Sequence, residues 1–295
     1  MRSVFSTYHP IINFGFFCAV IGIGIVMIHP VFLGIGTAAA LASILMMEGR
    51  KKLPFILGFL LPMVVVVTVM NPLVNHHGST ILLQTENTYF TLEAAIYGLM
   101  LGLMMAAVIL WFSSYNIIMT SDKFIYLFGR IMPAVSLVFS MVMRFVPNYR
   151  QRIRKISTAQ QCIGRNISSG TLKERIHHGS RIISVMFTWA LESSIDSADS
   201  MRSRGYGMKN RSTFSIYRFD HRDTVTGCFL LAMTLIVIAG GMAGVCSIEY
   251  YPSITMAQTG PTSLLVYAAY FCLCFFPVAA EVKEALTWRR LRSGI

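Results

Sequence analysis

The stretch Ser180–Arg211, SRIISVMFTWALESSIDSADSMRSRGYGMKNR, decides how the rest of the chain is read. Ile183, Phe187, Leu191, Ala198 and Met201 recur at helical spacing and share one face, with Glu192, Asp196, Asp199 and Ser203 opposite. Gly205 stands where a helix ends on a positive φ, which makes Arg204 the last residue before the stop. From Ser180 to Arg204 the helix would run roughly 37 Å, enough to cross a bilayer, but three acids on one face make a lipid-exposed span costly. The stretch therefore reads as an amphipathic helix outside the hydrocarbon, with an arginine at its tip.

The surrounding chain is of another kind. Of its 295 residues 55% are hydrophobic and 13% charged, and the mean hydropathy is +0.61. A soluble domain carries about a quarter charged residues, so the expected class is an all-α integral membrane protein. No cleavable signal peptide is evident. The six cysteines, Cys18, Cys162, Cys228, Cys246, Cys272 and Cys274, have neither disulfide-framework nor metal-ligand spacing, and read as small packing residues.

Apolar runs occupy 11–28, 31–47, 55–74, 91–112, 225–245 and 264–280. His29-Pro30 reads as a tight turn, 79–90 as a loop with room for a hairpin, and Thr91 as a helix cap. The segment 122–147 is apolar enough for a further span, with a kink expected at Pro133. Charge decides against a crossing. If it does not cross and the N-terminus is inside, the outward connections at 29–30, 75–90 and 247–262 hold no Lys or Arg, and all 25 basic residues lie inside. The expected architecture is about six transmembrane helices in two blocks, 1–121 and 224–295, with a cytoplasmic or interfacial helical domain, 122–223, between spans four and five. Its first part, 144–164, is a basic amphipathic helix whose face is Ile153, Ile156, Gln160 and Ile163. Such a helix often lies on anionic lipid.

Sites of chemistry are missing from the pattern. The run 240–244, GGMAG, lacks the lysine of a phosphate loop, and no HExxH, GxSxG or convergent carboxylate set occurs. His76-His77 and His177-His178 read as solvated polar pairs rather than metal ligands. Glu93 and Glu281 sit at span ends, so no ion or proton relay is visible at midplane. No catalytic residue, metal, bound cofactor or nucleic-acid partner is expected. A greasy body without an energy source, carrying a basic helical domain, suggests a subunit driven by partner ATPases.

Ordered phrases then carry a resemblance: Asn71-Pro72-Leu73 with His77-Gly78, Thr91-Leu92-Glu93-Ala94, Asp122-Lys123-Phe124, Arg144-Phe145-Val146-Pro147, Ala159-Gln160 and Met201-Arg202-Ser203-Arg204-Gly205-Tyr206. In order and spacing, over residues 70–225, they resemble the transmembrane T component of energy-coupling factor (ECF) transporters, which includes the cobalt-type permeases. The resemblance implies a non-catalytic scaffold in a prokaryotic cell membrane. It would join two cytoplasmic ATP-binding-cassette subunits, which hold ATP and Mg, to a small membrane S subunit that captures a vitamin or a transition-metal ion. It also implies two X-Arg-Gly motifs that dock on the ATPases. Ser203-Arg204-Gly205 matches the second. At the first, Ile163 stands where arginine is expected, before Gly164, and Arg165 follows. Either Arg165 substitutes or that contact is apolar. A stand-alone carrier or channel with a regulatory helical domain is the alternative, and a membrane enzyme a third class.

Overall fold

The computed structural model describes residues 4–75, 78–85, 88–129, 131–165, 170–206, 208, 217–256 and 260–293. His76, His77, Arg130 and Lys209–Arg211, all used in the sequence reading, lie outside them. The described chain is almost wholly helical. Helix α1 is Pro10–Val26, α2 is Pro30–Glu48 and α3 is Leu61–Val74, entered through a 3-10 turn (Gly49–Lys52), a helical turn (Leu53–Phe55) and a π turn (Ile56–Leu60). A hairpin of β1 (Ile81–Thr85) and β2 (Thr88–Thr91) leads into α4 (Leu92–Ile118). Then come α5 (Ser121–Gly129), α6 (Pro133–Cys162), α7 (Leu172–Ser203) and α8 (His221–Met242). A two-residue ladder of β3 (Ile248–Glu249) and β4 (Thr255–Met256) precedes α9 (Pro261–Ser293).

Among the described residues, four helical stretches are long and apolar enough to cross a membrane: Pro30–Val74, Leu92–Ile118, His221–Met242 and Pro261–Trp288. The first covers 45 residues, more than twice the roughly 20 that one crossing needs. Pro10–Val26 is a shorter apolar helix of 17 residues.

The chain divides into two compact units, residues 1–124 with 217–295, and residues 125–216. The first has a true core. Phe16 and Phe17 of α1 meet Trp111 edge-on at 5.7 and 6.2 Å, Phe5 meets Phe16 at 5.1 Å, and Phe32 of α2 packs on Tyr270 of α9 at 4.9 Å. Edge-to-face pairs favour the ring quadrupole. A stripe of small residues on α4 (Ala94, Gly98, Gly102 and Ala106) lets α3 approach. A Cβ on Gly98 would lie 2.8 Å from the Asn71 Cβ, and one on Gly102 would lie 3.2 Å from the Val64 Cα. Where lipid competes with side chains, such close approach supplies the packing.

Two local expectations are corrected here. Pro133 does not kink a helix; it opens α6 at the first turn, where its missing N–H costs nothing, and Pro147 is the proline inside that helix. The segment 122–147 is therefore two helices, with a break that includes residues 131–132. Helix α7 begins at Leu172, not Ser180: Thr171 and Glu174 form a reciprocal capping box, with Thr171 N–H donating to Glu174 Oε2 at 2.9 Å and Glu174 N–H to Thr171 Oγ1 at 3.4 Å. His29-Pro30 ends the three-residue turn between α1 and α2, where His29 N–H donates to the Met27 carbonyl at 2.9 Å and His29 Nδ1 also caps α2, accepting from Val31 N–H at 3.3 Å.

Candidate docking ends of two helices

The unit 125–216 is built around α6 and α7, which pack on each other. Tyr149 meets Trp189 edge-on at 5.6 Å, and the Arg152 guanidinium lies 4.6 Å from the Trp189 ring centroid. Ser136 Oγ donates to the Ile125 carbonyl at 3.1 Å, joining α5 to α6. Apart from Ile182, no residue is buried among the described residues of this unit. The apolar stripe that marks Ser180–Arg204 as amphipathic is largely exposed: Ile183, Phe187 and Leu191 are 69, 65 and 52% exposed. A second stripe on α6, Val135, Val138, Phe139, Val142 and Val146, is also exposed.

Both helices end in the same way. At the end of α7, Gly205 has φ +73°, its N–H donates to the Arg202 carbonyl at 3.1 Å, and Tyr206 N–H donates to the Met201 carbonyl at 3.0 Å. At the end of α6, Gly164 has φ +76°, its N–H donates to the Gln161 carbonyl at 3.0 Å, and Arg165 N–H donates to the Gln160 carbonyl at 2.9 Å. Each is a complete Schellman ending, with the left-handed residue supplied by glycine. The two hydrogen-bond patterns set the ends in register. Ile163 takes the place of Arg204, Gly164 of Gly205, and Arg165 of Tyr206. Arg165 is thus two positions away from the place Arg204 holds, and Ile163, 61% exposed, occupies it. Ser203 closes α7 with its Oγ donating to the Ser200 carbonyl at 3.0 Å. Arg204 is exposed.

Periodicity gave no hint of the polar ties in the other unit. Glu93, buried at the start of α4, accepts from Ser79 Oγ at 3.0 Å, from the Thr80 N–H and from the Thr80 hydroxyl. Thr91-Leu92-Glu93 stood in the sequence among the ordered phrases, with no partner assigned to Glu93. Asp223 and Lys123 are buried as well.

Curated relatives agree on one name. The protein called energy-coupling factor transporter transmembrane protein EcfT in Staphylococcus aureus (strain 04-02981) is 27% identical over 210 residues, which is 68% of this chain and 76% of the relative. Those of Exiguobacterium sibiricum and Lactobacillus helveticus are 30 and 31% identical, each over 35% of this chain and 40 and 38% of their own length. This chain is similar to the transmembrane proteins of ECF transporters. Over those last two relatives the chain spans about two fifths of their length. Residues 17–198 are also similar to a family described as coronavirus replicase NSP6. That match starts inside α1 and ends inside α7, so it follows no element boundary, and it runs through apolar helices whose composition multi-span proteins share. The similarity to ECF transmembrane proteins stands on relatives that share one name and on the ordered phrases.

Proposed function

We propose that this chain is the coupling subunit of an ECF-type importer: it carries the work of two cytoplasmic ATP-binding-cassette subunits to a small S subunit that captures a vitamin or transition-metal ion. The chain itself hydrolyses nothing and holds no cofactor; ATP and Mg sit on its partners. The N-terminus and residues 122–223 face the cytoplasm of a prokaryotic cell, the arrangement that keeps all 25 basic residues inside.

The observation that carries this reading is the pair of matched helix ends on a unit that buries only Ile182. Large exposed apolar faces mark sites of contact with protein or membrane. An arginine tip is always charged and offers five donors to carbonyls or carboxylates in a partner's groove. At the α7 end Arg204 makes that contact, flanked by Ser203 and Gly205. At the α6 end the contact is apolar, made by Ile163 beside Gly164, with Arg165 at its rim. The exposed stripe of α6 meets the S subunit. Paired rigid helices then turn ATPase closure into shear at the membrane.

The alternative, a stand-alone carrier, draws support from a cavity of about 750 Å³ between α1 and α8, lined by Gly22, Val26, His29, Tyr97, Met242 and Tyr250 among others. No Asp, Glu, Lys or Arg lines it, so it lacks the charges that an ion-driven carrier uses. A detergent pull-down separates the two. The chain should bring down two nucleotide-binding proteins, and Arg204→Glu should remain folded while losing most of them. Recovery of the ATPases at undiminished level by Arg204→Glu would refute the docking role.

A further inference from the structure

The inserted region leaves the first unit at Phe124 and returns to it at Tyr217, and both crossings are fastened to one short segment, Val4–His9. On the leaving side stands Lys123, 6% exposed. Its ammonium donates to the carbonyl of Ser6 and, at 3.1 Å, to that of Ile118. The fully buried Asn13 amide, in the orientation that serves both neighbours, accepts from Lys123 Nζ at 3.1 Å and donates to the Phe5 carbonyl at 3.0 Å. Three acceptors saturate three N–H bonds. On the returning side, the buried Asp223 accepts from His9 N–H at 3.4 Å. Arg222 Nη2 donates to Thr7 Oγ1 at 3.2 Å, and its guanidinium lies 4.4 Å from the Tyr8 ring centroid. The segment is itself held fast. Val4 N–H donates to Glu281 Oε1 of α9 at 2.8 Å, and Phe5 is wholly buried among Phe16, Phe17 and Phe276.

A buried ammonium surrounded by neutral acceptors is a costly way to fill space, since an apolar side chain would do so without desolvating a charge. What the charge adds is direction: three bonds fix one backbone geometry. We propose that Val4–His9 is a mechanical anchor for both ends of the inserted region, with Lys123 as its positioning residue. Force arriving along α5 reaches Ser6 through Lys123, and from there α1, α8 and α9. The anchor stands on its own geometry; its mechanical use rests on the coupling reading above.

The test uses the full chain and the assembled complex. In Lys123→Met, amide hydrogen exchange at residues 4–9 and 217–224 should quicken by about tenfold, the usual scale for a lost charged hydrogen bond. The interiors of α1 and α4 should keep their protection. With the ATPase and S subunits present, ATP hydrolysis should persist while substrate moved per ATP falls severalfold. Unchanged exchange at 4–9 and 217–224 overturns the anchor. Faster exchange with an unchanged transport-to-hydrolysis ratio overturns its mechanical role. If the unaltered chain recruits no nucleotide-binding subunits, the coupling reading fails and the exchange arm alone decides the anchor. Asn13→Leu, which removes one acceptor and leaves the lysine, decides on the same readouts if Lys123→Met does not fold.

Discussion

Helices α4 and α7 are similar in length, 27 and 32 residues, yet α4 buries ten of its residues and α7 buries one. Both are helical for good local reasons. The difference lies in what covers them. Helix α4 is gripped by α2 and α3 through its small residues and by the aromatic cluster around Trp111. Helix α7 has a capping box at one end, a Schellman ending at the other, and a stripe of isoleucine, phenylalanine and leucine turned outward. Most helical stability comes from packing an apolar face. The body finds that packing within its own chain, and the inserted unit leaves its apolar stripes exposed.

The largest expected effect is in the body. Phe16→Ala should destabilise the chain by about 3–5 kcal/mol, read as a lowered midpoint of thermal unfolding in detergent. In the same assay Phe187→Ser, on α7, should cost no more than about 0.5 kcal/mol. Equal losses would erase the distinction between the units. Next, Gly98→Leu should cost about 1–3 kcal/mol through overpacking against Asn71 and Thr68, and a neutral result would deny the close approach of α3 and α4.

The matched helix ends sharpen the comparison at smaller scale. If Ile163 makes an apolar contact, Ile163→Asp should weaken ATPase binding by about tenfold, the cost of about 1.4 kcal/mol. Arg165→Ala, at the rim, should weaken it by less than about threefold, as exposed charges do. The reverse order would assign the docking role to Arg165.

The smallest effect is a pH dependence of the start of α7. The Thr171 backbone N–H, then its hydroxyl, holds the Glu174 carboxyl below its ordinary value of 4.5. With the folded value below the unfolded one, the unfolded chain takes up the proton first as pH falls. The capping contribution is therefore present above pH 4.5 and lost as pH drops through the folded value. Amide exchange at residues 172–176 should quicken over that range, and Glu174→Gln should remove the step.

How much the sequence revealed follows the same division. Helical periodicity and hydropathy are properties of single segments, so the amphipathic α7, its stop at Gly205 and the apolar helices were legible. The capping box at Thr171 was legible in principle, because Thr and Glu stand three apart, but the reading began the helix at Ser180, eight residues too late. The break before Pro133 was misread as a kink because apolar composition continues across it. The burial of Lys123 and Asp223 could not be seen at all: their partners, Ser6 and His9, lie 117 and 214 residues away. The register of Ile163 with Arg204 also needed backbone hydrogen bonds, since the two sequences share only the glycine.

The central claim is that nucleotide-binding subunits grip both helix ends, and footprinting tests it most directly. Single cysteines at Ser203, Arg165 and Ser194, in a chain otherwise free of cysteine, would be labelled with a maleimide with and without the two ATPases. The account predicts strong protection at Ser203 and Arg165 from the cytoplasmic side and little change at Ser194; equal labelling at all three with the ATPases bound, or reaction only from the outer side, would contradict it.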